Sequence, residues 1–513
     1  MFTGRDTATR TLISIALLLV TVAGFARFYD MQRMIVWHDE VFSVIRVLGF
    51  DHAAVRHSLF AGGEDLNAAQ VLRYQSPDPA LGWSDTWQAL RGHPEHPPLF
   101  FLLARLSVEP GEQTVLGIRA TSALLSLLLF PALAWWAREL FGRGPAPWLA
   151  LVLLALSPVH LLFAQEARQY ALWSVLIAAS SAALLRALRS DSACNWSLYA
   201  LLLSLALYTH LLSGLLIAVH LIYVGWRGLS DKDLQRSTLR HLGYAITAAL
   251  VAFLPWMLLI VDGYAALQQF TQWMSQTVST ERLTWIWLKH LSRPFIDLPG
   301  YAWSVLLLIP VLFAIVLRAH REPSEKLLWT MLLIWVLSLL LPDLLLGGRR
   351  SLESRYLLPA FLAIEMLLVG AIHSFWQAGV GSRRIAIALL ALLSTAGLLS
   401  QWQILHADTW WTKSLSAGNA ELARIINHTD QPLVLVDAGA SNLGEINSLS
   451  YRLDAKVRLR IQTDYSDYVP PADATILFAL SPGTALRRRL DPDFRFEQIP
   501  GSWQWYRIVR RGG

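Results

Sequence analysis

Short motifs rich in carboxylate, imidazole and guanidinium groups punctuate this chain at the ends of long apolar runs. "WHDEVFSVIRV" (37–47) places Asp39 beside Glu40 just after the first such run. "GHPEHPPL" (92–99) carries His93, Glu95 and His96 among three prolines, and "FAQEARQYALW" (163–173) carries Glu166, Arg168 and Tyr170. "LYTHLLSG" (207–214) contains His210, "WLKHLSRPF" (287–295) contains Lys289, and "GGRRSLESRYLLPA" (347–360) contains Arg349, Arg350, Arg355 and Tyr356. A carboxylate in a medium of reduced dielectric gains basicity, which suits it to taking a proton from a hydroxyl group. Clustered guanidinium groups suit the planar, multidentate recognition of phosphate.

Each motif also has a plainer reading. Acidic residues near the end of a membrane helix are ordinary solvated decoration. His93 and His96 have a loose metal-ligand spacing, and the prolines between and after them favour an extended path, so positioning an acceptor or supporting a turn is the better account. Glu166 and Arg168 start a helix, where a carboxylate is favoured by the macrodipole alone; as chemistry, Glu166 is a second carboxylate facing the first across a cavity. A lone histidine such as His210 in a tight turn is commonly a packing residue. The arginines of 347–360 are either snorkelling side chains or a site for an anionic headgroup. Glu365 lies within an apolar run and must face protein, paired to an arginine or a histidine.

The elements that position these groups follow from composition. Of the 513 residues 54% are hydrophobic and only 16% charged, against about 25% charged in soluble domains. This is the composition of an integral membrane protein, and its 22 Trp and 14 Tyr fit interfacial belts. The net charge of +6 includes no basic tract for nucleic acid, and the single cysteine, Cys194, excludes an intrachain disulfide and a cysteine-based metal cluster. The first apolar run lacks a small-residue cleavage site and reads as an anchor.

Runs able to cross about 30 Å of hydrocarbon lie near 11–28, 117–137, 147–163, 169–188, 196–210, 211–226, 242–261, 301–318, 327–346, 356–377 and 385–402, about eleven spans. Arg5 and Arg10 precede the first. Arg138 and Arg143, Arg186 and Arg189, Arg227 to Arg240, Arg318 to Lys326, and Arg383 and Arg384 fill alternate connections. The positive-inside rule then puts the N-terminus in the cytoplasm and the C-terminus outside. The apolar stretch 96–108 is too short for a crossing and reads as an interfacial helix opening at Pro97–Pro98. The expected fold class is a polytopic α-helical membrane protein with two large outer loops, 29–116 and 263–300. Residues 1–403 form the membrane domain. In 404–513, "AELARIINH" reads as a helix and "PLVLVD", "KVRLRIQ", "TILFAL" and "WQWYRIV" as strands, a small α/β domain outside the membrane.

An Asp-Glu pair after the first span followed by HPPL, QEARQY, YTH and SRYLLPA, in that order, resembles the membrane glycosyltransferases of the GT-C fold. The nearest group is the bacterial branch of the protein O-mannosyltransferase and aminoarabinose-transferase superfamily, the glycosyltransferase family 39-like proteins. The resemblance covers about residues 10–400; the tail shares only the general character of such proteins' outer domains. It implies a sugar donor on a polyprenyl phosphate, an unassigned lipid, glycan or protein acceptor, and transfer on the outer face of a bacterial inner membrane. It also implies Asp39 as catalytic base, Glu40 beside it shaping the site or a metal, and Glu166 with Arg168 lining the cavity. Arg350, Arg355 and Tyr356, with Lys289, would hold the lipid phosphate, and His93, His96, Tyr170 and His210 would line the substrate cavity. Phe42, two residues after the acid pair, departs from relatives that often show a tyrosine nearby.

The physics of the reaction agrees with these roles. Displacing a sugar from phosphate requires a base for the incoming hydroxyl and positive charge for the departing phosphate, from arginines with or without a divalent ion. A reactive bond carried by a lipid at the membrane surface explains why an acid pair sits there. The rival classes are a transporter, which would show internal repeats and midplane polar groups, and an envelope-assembly scaffold working through 404–513. A chain truncated before that tail would keep turnover if the membrane core is a self-sufficient enzyme.

Overall fold

The computed structural model describes residues 4–108, 114–230, 236–299, 305–306, 308–318, 325–439, 442–471, 476–499, 502 and 504–511. Every expected apolar run is helical where described, and the stretch 301–318 is described mainly as the helix Ile309–Arg318. Lys232 and Arg321, used above for orientation, lie outside the described residues. Among the described residues seven helices are long and apolar enough to cross a membrane, or eight if the bent pair Ala146–Leu156 and Pro158–Ala164 is one span. The two helices on either side of His210, Ala193–Leu207 and Ser213–Ser230, are apolar but shorter. The count therefore falls below the expected eleven because several of those runs form short or broken helices.

The chain divides into two compact units. The first comprises 1–29, 91–100 and 122–405, and its helices sort by how much of their surface they hide. Tyr170–Ser190 packs against Leu129–Phe141 and Ala193–Leu207, and nearly its whole circumference is covered. A helix apolar on all sides belongs at the centre of a bundle. Leu358–Gln377, packed against Glu325–Leu346 and Ala146–Leu156, is the second such helix. Others expose large apolar side chains outward, among them Leu18, Phe25, Val251, Leu258, Phe313 and Leu345. That outward face matches hydrocarbon rather than water.

The break at Ser157 is stabilised by polar groups buried in the bundle. Ser157 Oγ donates to Glu365 Oε1 at 2.9 Å, and His160 Nε2 lies 3.0 Å from Glu365 Oε2, so the intramembrane carboxylate has a histidine partner. Gln401 Nε2 donates to the carbonyls of Ala155 and Ser157 around the break. Gly397 lets its helix touch that backbone, since a β-carbon there would overlap the Leu156 carbonyl.

The second unit comprises 30–90, 101–121 and 406–513 and contains a six-stranded sheet. The strands are β1 (Asp65–Leu66), β2 (Leu433–Val436), β3 (Arg458–Ile461), β4 (Ile476–Leu480), β5 (Phe494–Gln498) and β6 (Trp505–Arg510), in the order β1-β3-β2-β4-β6-β5. β2 runs parallel to both β3 and β4, the crossover from β2 to β3 being the helix Asn442–Ser450. β6 is antiparallel to β4 and β5. Leu433, Leu435, Leu477, Leu486, Phe494 and Ile508 close one core. The four strands and the helix Asn419–Asn427 read from the tail are present. β5 and β1 were not expected. β1 is two residues from the first loop, tied to β3 by Asp65 Oδ1, which accepts from Arg460 Nε at 2.7 Å. Leu99–Arg105 is a seven-residue helix, about 10 Å long, too short to span.

Because Leu156 meets Gly397 through backbone, the contact has no side chain that can give way. Replacing Gly397 by Val should destabilise the bundle by about 1–3 kcal/mol, read as a fall in the thermal midpoint of the purified protein in detergent.

Candidate functional site

In the second unit, His38–Leu48 begins with the acid pair in its first turn, where carboxylates favour the helix dipole. The two acids have different surroundings. Asp39 is partly exposed, whereas Glu40 is 0% exposed. Arg119, from the helix Thr114–Leu127, donates through Nε to Glu40 Oε1 at 2.7 Å and through Nη2 to Oε2 at 2.6 Å. Lys413 Nζ adds a third bond to Oε2 at 2.9 Å. Both oxygens of Glu40 are thus engaged by cations. The fold gives the two adjacent acids different settings, Glu40 buried among cations and Asp39 partly exposed. Arg119 and Lys413 were missed because each is a single cation without a motif, joined to Glu40 only by the fold.

In the first unit, residues from three distant motifs meet. The His210 ring stacks on Trp173 with centroids 4.1 Å apart and lies 6.1 Å from Tyr170 and 5.9 Å from Tyr356. Arg168 lies over the Tyr170 ring at 5.7 Å, and Arg355 over the Tyr356 ring at 5.3 Å. Cation–π contacts of this kind help to orient guanidinium groups. His210, in the turn between two helices, accepts from the Leu212 amide at Nδ1. Burial, then Arg168, then Arg355, push its pKa down to about 3. It is therefore a neutral ring beside two cations.

Glu166 and Arg168 do not start the helix as expected. They lie in the turn 165–169 between Pro158–Ala164 and Tyr170–Ser190, so the macrodipole account of Glu166 does not apply in its simple form. Gln165 Nε2 pins this turn to the carbonyls of Ala26 and Tyr29, and Ser122 Oγ donates to the Arg168 carbonyl. Both side chains are buried.

The segment 347–357 is held from below. Asp343 accepts the Ser351 amide at 2.7 Å and Arg350 Nη1 at 3.1 Å. Trp287 Nε1 donates to Ser351 Oγ, and His290 Nε2 donates to the Ser351 carbonyl. Arg293 donates to His290 Nδ1 at 2.6 Å, which fixes the tautomer as Nε2–H. Burial, with Arg293 next, lowers the pKa of His290 far below its ordinary value. Gly348 has φ +149°, and a β-carbon would collide with Arg350 and Asp343. Arg350 is thus spent on anchoring this turn. Arg355 is left pointing to Glu353 Oε2 at 3.2 Å and to Tyr356. Lys289 is exposed and lies over Trp285, whereas the next residue, His290, is buried.

His93 and His96 also belong to the first unit. They form a turn, one of the two uses expected of this motif: the His96 amide donates to the His93 carbonyl with Pro94 at the second position. Glu95 Oε1 lies 3.3 Å from His93 Nδ1 and 3.9 Å from His96 Nε2. Among the described residues no group of three or more His, Cys, Asp or Glu is placed to hold a metal ion.

Residues 95–258 match the sequence profile of the dolichyl-phosphate-mannose-protein mannosyltransferase family. No curated protein sequence matches. Among solved structures, ArnT from Cupriavidus metallidurans bound to undecaprenyl phosphate is similar with TM-score 0.54 and 13% identity, covering 99% of each chain. Its apo form gives TM-score 0.54 and 14% identity over 99% of this chain and 98% of that one. At such identities the likeness concerns the fold.

One consequence concerns acid stability. His210 is neutral when folded down to about pH 3 but charges near its ordinary value of 6.5 when unfolded, so the unfolded state binds the extra proton between these limits. Stability should fall as pH drops from about 6.5 toward 3, and His210→Gln should flatten that loss in pH-dependent thermal unfolding. The chain has the GT-C fold seen in ArnT, and within it residues 95–258 match the profile of the dolichyl-phosphate-mannose-protein mannosyltransferase family.

Proposed function

We propose that this protein is a multi-pass membrane glycosyltransferase that moves a sugar from a polyprenyl-phosphate donor to an acceptor hydroxyl. The observation that carries this reading is the convergence of Arg168, Tyr170, His210, Arg355 and Tyr356 from three separate motifs, within a fold shared with ArnT. The matched family is described by a dolichyl-phosphate sugar donor, and the solved ArnT holds undecaprenyl phosphate. Both support a lipid phosphate as leaving group here.

In this reading Asp39 takes the proton of the acceptor hydroxyl as its oxygen attacks the anomeric carbon. The bond from that carbon to the phosphate oxygen breaks, and the polyprenyl phosphate leaves with the electron pair. A single displacement inverts the anomeric centre. Arg355 and Arg168 stabilise the charge that develops on the phosphate; donors already in place need no reorganisation at the moment of reaction. The neutral His210 and the rings of Tyr170, Trp173 and Tyr356 keep this charge in an apolar setting, where it acts more strongly. Glu166, Lys289, His93 and His96 retain the roles of cavity or headgroup residues within this proposal. Since the described residues offer no metal-ligand set, no step is assigned to a divalent ion. The basic connections support a cytoplasmic N-terminus in a bacterial inner membrane, with transfer and residues 406–513 on the outer side.

The test is release of polyprenyl phosphate from a panel of hexosyl and pentosyl polyprenyl phosphates by purified protein in lipid, with and without EDTA. Asp39→Asn should lower turnover by about 10²- to 10⁴-fold. Arg355→Ala should lower kcat/KM by about 10- to 100-fold, as expected for loss of a charge-assisted contact. Turnover indifferent to both substitutions, in folded protein, would sink the reading.

A further inference from the structure

The helix that opens with Asp39 is gripped on both sides by side chains that follow residue 405. On one side the His38 amide donates to Ser416 Oγ at 3.0 Å, and Ser416 Oγ donates to Glu445 Oε1 at 2.7 Å. Glu445 is fully buried, and its other oxygen accepts from Asn419 Nδ2 at 3.2 Å. Asn419 Oδ1 in turn accepts from Trp505 Nε1 at 3.0 Å, which ties the network to β6. His38 Nδ1 lies 3.5 Å from Glu445 Oε1, and its ring sits over Gly444 so closely that any β-carbon there would overlap it. On the other side Lys413 reaches Glu40 and also lies over the Trp37 ring at 5.8 Å. Asp39 stands between these two clamps, and Trp37, His38 and Glu40 cannot turn without breaking a buried polar contact.

Such a network is a costly way to attach a domain. A buried carboxylate loses solvation that its partners only partly restore, and apolar contacts of equal volume would hold the same helix at no such penalty. What a polar network supplies is a single orientation. We propose that Lys413, Ser416 and Glu445 are positioning residues for the Asp39 carboxylate, which makes the segment after residue 405 part of the catalytic apparatus. This rests on Asp39 acting as the base. It also means that removing the tail is no clean test between enzyme and scaffold, because the cut takes Lys413 and Glu445 with it.

The experiment measures single-turnover release of polyprenyl phosphate by the full chain in lipid, with KM for the donor and the pH profile. Glu445→Gln keeps shape and removes charge; it should lower the rate by about 10- to 100-fold, the scale of a misplaced reacting group, with donor KM within about twofold of wild type and a displaced acid limb. Ser416→Ala should act in the same direction, and serves alone if Glu445→Gln does not fold. The exposed Arg488→Ala, in the same domain, should leave the rate unchanged. In an Asp39→Asn background Glu445→Gln or Ser416→Ala should cost nothing more, since a misaligned base and an absent one are equivalent. Wild-type rates in both folded variants, or an undiminished loss in the Asp39→Asn background, would overturn the positioning role. Wild-type turnover by Asp39→Asn itself would instead overturn the base assignment.

Discussion

The second unit is organised around one buried charge, that of Glu40. An isolated carboxylate cannot remain ionised away from water, so it must be met by cations whose own donors are also satisfied. Arg119 meets this requirement in full. A guanidinium has five N–H donors, and here they reach both oxygens of Glu40 and the backbone carbonyls of Met31, Met34 and Ile35. The same arginine therefore sets the path of the chain from 31 to 35 and the start of the helix that carries Asp39. Removing either partner would strand the other, at a cost of about 3–5 kcal/mol in comparable buried pairs. Lys413 extends the constraint to the segment after the last long helix, so the first loop and the tail share one electrostatic centre.

The first unit sets two of its cations against aromatic rings. Arg168 and Arg355 lie against aromatic rings, and His210 is kept neutral by burial and by those same cations. Arg355 also pairs with Glu353 at 3.2 Å, so ring and carboxylate together orient its guanidinium. The turn bearing Arg355 owes its shape to Asp343, Ser351, His290 and the positive φ of Gly348, with Arg350 consumed in the anchoring. Two arginines of one motif thus have different surroundings, Arg350 in the network that anchors the turn and Arg355 beside Glu353 and Tyr356.

Much of the architecture was legible before any coordinates. Long apolar runs specify helices because backbone polar groups in hydrocarbon must be satisfied within the segment, and the tail's strands announced themselves through β-branched and aromatic runs. The prediction of a histidine or arginine partner for Glu365 followed from the same solvation argument and is met by His160. Span number was less legible, since a break such as that at Ser157 depends on Gln401 and Gly397 from a helix more than two hundred residues away. The helix expected at Glu166 is a turn for a similar reason, being pinned by Gln165 to the end of the first helix.

By itself the sequence determined that this chain lies in a membrane, that its acids, histidines and arginines gather at helix ends, and in what order. These are consequences of solvation and of local periodicity, and both can be read along the chain. Only the tertiary structure decided which of two adjacent carboxylates is locked and which is accessible. It alone made Arg350 an anchor and set His210 between Trp173 and Tyr356. A side chain's protonation and availability depend on the charges and dielectric around it, and those come from residues brought near by folding.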